Sequence, residues 1–131
     1  MLTQNLTPHD RTVDLAGKSV CVVEDSAIIA FDICMALEDQ GADVIGPFAT
    51  LRDAAATLSD TKPDAAVLDV DLPDGKSFPL ASRLRSMDIP VVFYSGSTRP
   101  ATFERDFPQT SWCTKPLPSE RLVATIAASL Q

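Results

Sequence analysis

Apolar residues along this chain fall into two rhythms that take turns. Short apolar runs occupy Ser19 to Val23, Ala42 to Ile45, Ala65 to Leu68, Val91 to Tyr94 and Ser111 to Thr114. Runs this short and continuous read as strands covered on both faces. Between them the apolar residues recur near helical spacing. Ile28, Ile29, Ile33, Met35, Ala36 and Leu37 mark a helix from Ser26 to Gln40. An alanine-rich helix follows from Leu51 to Leu58. Phe78, Leu80, Ala81 and Leu84 mark a third, Ser77 to Met87, and a short one is expected over Pro100 to Phe107. Leu122, Val123, Ile126 and Leu130 mark the last. Asp25 is expected to cap the first helix and Ser119 the last, with Gly41 ending the first. Gly46-Pro47 is expected to break the second strand.

Strand and helix therefore alternate five times, which predicts an α/β fold: a doubly wound parallel sheet with helices on both faces. Residues 1–16 are polar and mixed and read as an N-terminal extension, leaving 17–131 as one domain. Within the extension, Thr7-Pro8-His9-Asp10 suits a helix start, with Thr7 as N-cap. No repeat or linker interrupts the pattern, and nothing after the fifth helix is left for a second domain.

Composition narrows the function. A length of 131 residues is one domain's worth. No apolar stretch approaches the ~20 residues of a membrane span, and the N-terminus lacks the basic start and apolar core of a secretory signal. A soluble, cytoplasmic protein is expected. The net charge of −7 argues against nonspecific nucleic-acid binding and against docking on an anionic membrane. Cys21, Cys34 and Cys113 have no metal or redox spacing and read as small core residues. The single histidine, His9, has no visible partner.

The candidate chemistry lies where the strands end. In an open parallel sheet all C-terminal strand ends share one edge, and ligands bind in the crevice there. Glu24 and Asp25 follow the first strand, Asp69 the third, Ser95 the fourth and Lys115 the fifth. Carboxylates gathered at one rim repel each other, and a divalent cation offsets that repulsion. Oxygen donors without imidazole or thiolate suit Mg2+ or Mn2+. Lys115 and Ser95 suit a phosphoryl group, and a carboxylate beside them can act as a nucleophile. Blander roles exist for each residue. Glu24-Asp25 can cap a helix, Lys115 can be a surface lysine, and Asp74-Gly75 reads as a plain turn. Phe103 and Phe107 read as packing residues, and Trp112 can be plain core. Leu15-Ala16-Gly17-Lys18-Ser19 mimics the end of a phosphate loop but lacks its first glycine and its helix.

The set "VVED" (Val22 to Asp25), "LDVDLPDG" (Leu68 to Gly75), "FYSG" (Phe93 to Gly96) and "TKPL" (Thr114 to Leu117) resembles the receiver domain of two-component response regulators, of the stand-alone type. The resemblance runs from Lys18 to Gln131. It implies a flavodoxin-like (βα)5 fold with strand order 2-1-3-4-5. It implies that Asp69 is the phosphoacceptor and that Asp25 ligates Mg2+, with Glu24 acting through water and Asp71 by its backbone carbonyl. Ser95 takes the switch-hydroxyl position, Lys115 that of the phosphate-contacting lysine, and Trp112 that of the switch aromatic; Pro116 follows a cis bond. The family's partners are a sensor histidine kinase or a histidine phosphotransfer protein, and a downstream protein bound by the face of the fourth helix, fifth strand and fifth helix. That face is also a candidate for homodimerisation, and Asp71 and Ser97 sit where the family tunes hydrolysis. The chain departs from the family in a shorter acceptor loop, in Ser95 for threonine and in Trp112 for tyrosine or phenylalanine. The chain is then not an enzyme beyond its own phosphorylation and dephosphorylation. Two other readings compete. "LDVDLP" also resembles the Asp-x-Asp motif of haloacid-dehalogenase-type phosphatases, with Asp69 and Asp71 as nucleophile and acid. A receiver that docks without phosphate is the other.

Overall fold

Each apolar run becomes a strand of one sheet. The computed structural model describes residues 14–131, so the expected helix start at Thr7 and His9 lie outside the described residues. The elements are β1 (Ser19–Val23), α1 (Ala27–Asp39), β2 (Asp43–Phe48), α2 (Leu51–Leu58), β3 (Ala65–Leu68), β4 (Asp71–Leu72), β5 (Gly75–Lys76), α3 (Phe78–Ser86), β6 (Val91–Ser95), α4 (Phe103–Asp106), β7 (Ser111–Thr114) and α5 (Ser119–Ser129). The main sheet is parallel, in the order β2-β1-β3-β6-β7. With the small antiparallel ribbon β4–β5 set aside, this is the expected 2-1-3-4-5.

Side-chain alternation along the strands divides the interior into two cores. Val20, Val22, Val67, Val92 and Tyr94 face α1 and α5, where Ile33, Leu37, Leu122, Val123 and Ile126 cover them. Cys21, Val23, Ala66, Leu68, Val91 and Phe93 face the other way, onto Ala54, Leu58, Leu80, Ala81, Leu84 and Phe103. All three cysteines are free. Burial pushes the Cys21 thiol up to about 12, far from any reactive range.

Local details depart from the sequence expectations. Ser26, not Asp25, caps α1: its hydroxyl accepts from the Ile29 N–H at 3.4 Å. That leaves the Asp25 carboxylate free of the cap. Ser119 is the first residue of α5, and Pro118 holds the cap position. Gly46-Pro47 does not end β2, which continues to Phe48 through a cis peptide and an irregularity in its register with β1. Gly46 is required there, because it has φ +109° and a Cβ would stand 2.8 Å from the Val22 carbonyl oxygen. The helix expected over Pro100 to Phe107 is confined to Phe103–Asp106.

The largest departure is on α1. Ala30, Ile33 and Leu37 are its buried residues. Ile28 and Met35, expected in the apolar set, are instead 77% and 46% exposed, and Phe31 is 63% exposed. Positions 28, 31 and 35 share one helix face, so α1 carries a second apolar stripe that faces outward.

Candidate functional site

Strand register assembles the site before any side chain is considered. Val23 pairs with Leu68, so the next residues, Glu24 and Asp69, leave neighbouring strands side by side. The Asp69 N–H donates to the Val23 carbonyl at 2.9 Å. Ser95 pairs with Thr114, so Lys115 emerges just past Ser95, and its N–H donates to the Ser95 carbonyl at 2.8 Å. All these residues stand at the C-terminal edge of the sheet.

Glu24 and Asp69 are buried, at 3% and 7% exposure, and Asp25 is exposed beside them. One carboxylate oxygen from each of the three lies within 4.8 Å of the others. Lys115 reaches into this group, placing Nζ 2.7 Å from Glu24 Oε1 and 3.2 Å from Asp69 Oδ2. The lysine side chain is only 17% exposed, which sets aside the surface-lysine alternative. Burial alone favours the neutral amine, but the Glu24 and Asp69 carboxylates outweigh it and raise the Lys115 pKa. Burial likewise raises the Glu24 pKa, with Lys115 and the Ser26 N–H opposing it. That N–H donates to Glu24 Oε2 at 3.1 Å.

The donor set fits a hard divalent cation. It is oxygen only, two members are buried, and Asp25 lies on the open side. No imidazole or thiolate joins it among the described residues.

Ser95 is buried at the same edge, and its Oγ accepts from the Ser97 N–H at 3.0 Å. Ser97 Oγ in turn donates to the Asp71 carboxylate, which also pairs with Lys76 across the β4–β5 ribbon. The Lys76 and Ser97 hydrogen bonds hold the Asp71 carboxyl below the usual aspartate range. Both Asp71 carboxylate oxygens are thus engaged, Oδ1 by Lys76 and Oδ2 by Ser97.

Trp112 settles against the core on the α2–α3–α4 side of the sheet. Its ring lies 5.7 Å from that of Phe93 and 5.2 Å from that of Phe103. Its indole N–H is buried without a hydrogen-bond partner. Phe103 and Phe107 are buried packing residues, as expected.

Two residues near the site carried no signal in the sequence. Asp74, expected as part of a plain turn, lies at the tip of the β4–β5 ribbon and accepts from the first N–H groups of α2: Leu51 at 2.9 Å and Arg52 at 3.0 Å. These bonds, the Leu51 one first, lower its pKa. A carboxyl with a lowered folded pKa contributes stability above its ordinary value of about 3.9 and loses it as pH falls through the lowered one. Asp74→Ala is therefore expected to unfold at a lower temperature than the parent at neutral pH. The gap should close in acid, and thermal melts across that range check it. Tyr94 is the other residue. It is buried under the Lys115–Pro116 connection, which contains the cis bond the resemblance implied.

Comparison with known proteins agrees with this geometry. The family model for the response regulator receiver domain matches residues 20–127. The phosphate regulon transcriptional regulatory protein PhoB of Pseudomonas aeruginosa is 31% identical over 123 residues, covering 89% of this chain and 53% of that protein. The transcriptional regulatory protein PdtaR of Mycobacterium tuberculosis is 26% identical over 112 residues, 83% of this chain and 55% of that protein. The chain thus spans about half the length of such curated relatives. Among solved structures, the chemotaxis response regulator CheY4 of Vibrio cholerae superposes with a TM-score of 0.75 at 27% identity, covering 86% of this chain and 98% of that one. A family match over most of the chain, the same fold and an acidic rim closed by a lysine lead to one conclusion: the chain belongs to the receiver domains of two-component response regulators.

Proposed function

We propose that Asp69 accepts a phosphoryl group in a reaction dependent on Mg2+ or Mn2+. The observation that carries this is Lys115 Nζ standing within 3.2 Å of both Asp69 and Glu24 at one sheet edge. Asp25 and Asp69 would hold the cation directly, Glu24 through water and Asp71 by its backbone carbonyl. When bound, the ion supplies charge neutralisation and an open position for a phosphoryl oxygen. An Asp69 oxygen attacks phosphorus, the bond from phosphorus to the donor's imidazole nitrogen breaks, and its electron pair stays on that nitrogen. Lys115 is already charged and placed to offset the added negative charge. Ser95 gives up its bond with the Ser97 N–H and donates its hydroxyl to the phosphoryl group. Trp112 gains a partner for its indole N–H by moving, and the α4–β7–α5 face changes its affinity for a downstream protein. No substrate other than its own Asp69 is proposed for the chain, and the cytoplasm is its proposed location. Intact-mass measurement after acetyl phosphate and Mg2+ tests this. One phosphoryl group on Asp69 supports it, and an unmodified chain supports the phosphate-independent docking receiver.

The donor is a sensor histidine kinase or a histidine phosphotransfer protein. Ile28, Phe31 and Met35 support a place for it, since their exposed stripe begins just beyond Asp25 and leads away from the site. A helix packing on that stripe would bring its histidine to Asp69. Phe31→Glu is expected to reduce transfer from a kinase that labels the parent chain by about tenfold or more. Labelling by acetyl phosphate, which needs no docking, should stay at the parent rate. Parallel time courses with the two donors check this.

A further inference from the structure

We infer that Tyr94 is a positioning residue for Lys115, an assignment that rests on the phosphoacceptor reading above. Between Lys115 and Ser119 the chain reads Pro116-Leu117-Pro118. Proline has no backbone N–H, so Leu117 carries the one backbone donor of that connection. Its N–H donates to the Tyr94 hydroxyl at 3.0 Å. The same hydroxyl donates back to the Leu117 carbonyl at 3.3 Å. A phenol has one proton to give and lone pairs to receive, so a single side chain satisfies both groups of Leu117.

The lysine is consequently gripped from both sides by successive residues of β6. The Ser95 carbonyl accepts from the Lys115 N–H at 2.8 Å, and the Tyr94 hydroxyl fixes the chain two residues on. The Tyr94 ring also lies 5.5 Å from Lys115 Nζ, within reach of a cation–π attraction. Tyr94 is buried in the core beneath α1 and α5, which holds the ring in place. Phenylalanine would keep the ring and its packing but would leave the Leu117 N–H and carbonyl without their partner.

Lys115 has to meet two carboxylates at once, and small errors in such placement have large effects on rate. The ammonium also competes with a metal cation for Glu24 and Asp69, since each neutralises the same charge. Loosening the lysine should therefore slow phosphorylation and tighten Mg2+ binding together. A residue that served only the fold would not link these two changes through Lys115.

The test compares the parent chain with Tyr94→Phe, Lys115→Met and the double variant. Calorimetric titration reads Mg2+ affinity, and intact mass reads the rate of Asp69 labelling by acetyl phosphate. Tyr94→Phe should slow labelling about tenfold and tighten Mg2+ binding about threefold. In the Lys115→Met background the same change should leave Mg2+ affinity where it is, because the group it acts through is gone. An equal shift in Mg2+ affinity with and without Lys115, or parental values for Tyr94→Phe, overturns the assignment while phosphorylation of the parent still stands. A parent chain that binds no Mg2+ and takes no phosphoryl group removes the phosphoacceptor reading itself, and Tyr94's role with it.

Discussion

Asp69→Asn is expected to take up phosphoryl groups from acetyl phosphate and Mg2+ at least about a hundredfold more slowly than the parent chain, because the attacking carboxylate is gone. The amide has nearly the same shape, so the strand end it occupies need not rearrange. Lys115 keeps its shorter contact with Glu24, at 2.7 Å, so the ammonium is not left buried and unpaired. The loss is thus one of chemistry and of one metal-facing charge, not of fold. Intact mass over time separates the cases. Labelling of the variant at the parental rate would place the acceptor elsewhere in the chain.

Phe93→Ala is the substitution expected to cost most in stability. Phe93 lies on β6 with no exposure, and its ring centroid is 5.2 Å from that of Phe107, 5.5 Å from those of Phe78 and Phe103, and 5.7 Å from that of Trp112. Those neighbours come from α3, α4, β7 and the turn after α4, so no single element can close the gap. Truncating a buried phenylalanine typically costs about 3–5 kcal/mol, a large part of the roughly 5–15 kcal/mol of a whole domain. Phe93→Leu should cost clearly less, since most of the volume remains. Urea or guanidinium titration of both variants measures the difference. The same change strips Trp112 and Phe103 of their shared support, so the α4–β7–α5 face should loosen with it.

The strands were legible because a parallel sheet buried on both faces needs continuous apolar runs, and Val20 to Val23, Ala65 to Leu68 and Val91 to Tyr94 supply them. The convergence of Glu24, Asp69 and Lys115 followed from the topology alone, since neighbouring strand ends meet whatever their separation in sequence. The helix faces were less legible. α1 is apolar nearly all round, so spacing could not tell the buried Ala30, Ile33 and Leu37 from the exposed Ile28, Phe31 and Met35. Caps were misplaced by one residue for two reasons: at α1 two good capping residues adjoin, Asp25 and Ser26, and at α5 the cap position falls to Pro118, which has no capping side chain, while Ser119 begins the helix. The roles of Asp74 and Tyr94 were hidden for a different reason. Each acts on backbone groups 22 or more residues away, and a side chain's distant backbone partner leaves no mark on local pattern. The β4–β5 ribbon was missed because its strands are two residues long, below the length at which alternation can be recognised.

A crystal structure of the chain with Mg2+ and beryllofluoride, which mimics a phosphoryl group on a carboxylate, tests the proposed chemistry most directly. The expected result is beryllium on an Asp69 oxygen, the cation among Asp25, Asp69 and the Asp71 carbonyl, and Lys115 Nζ and Ser95 Oγ both on fluorine. Beryllofluoride bound elsewhere, or a cation that leaves Asp25 and Asp69 untouched, would contradict it.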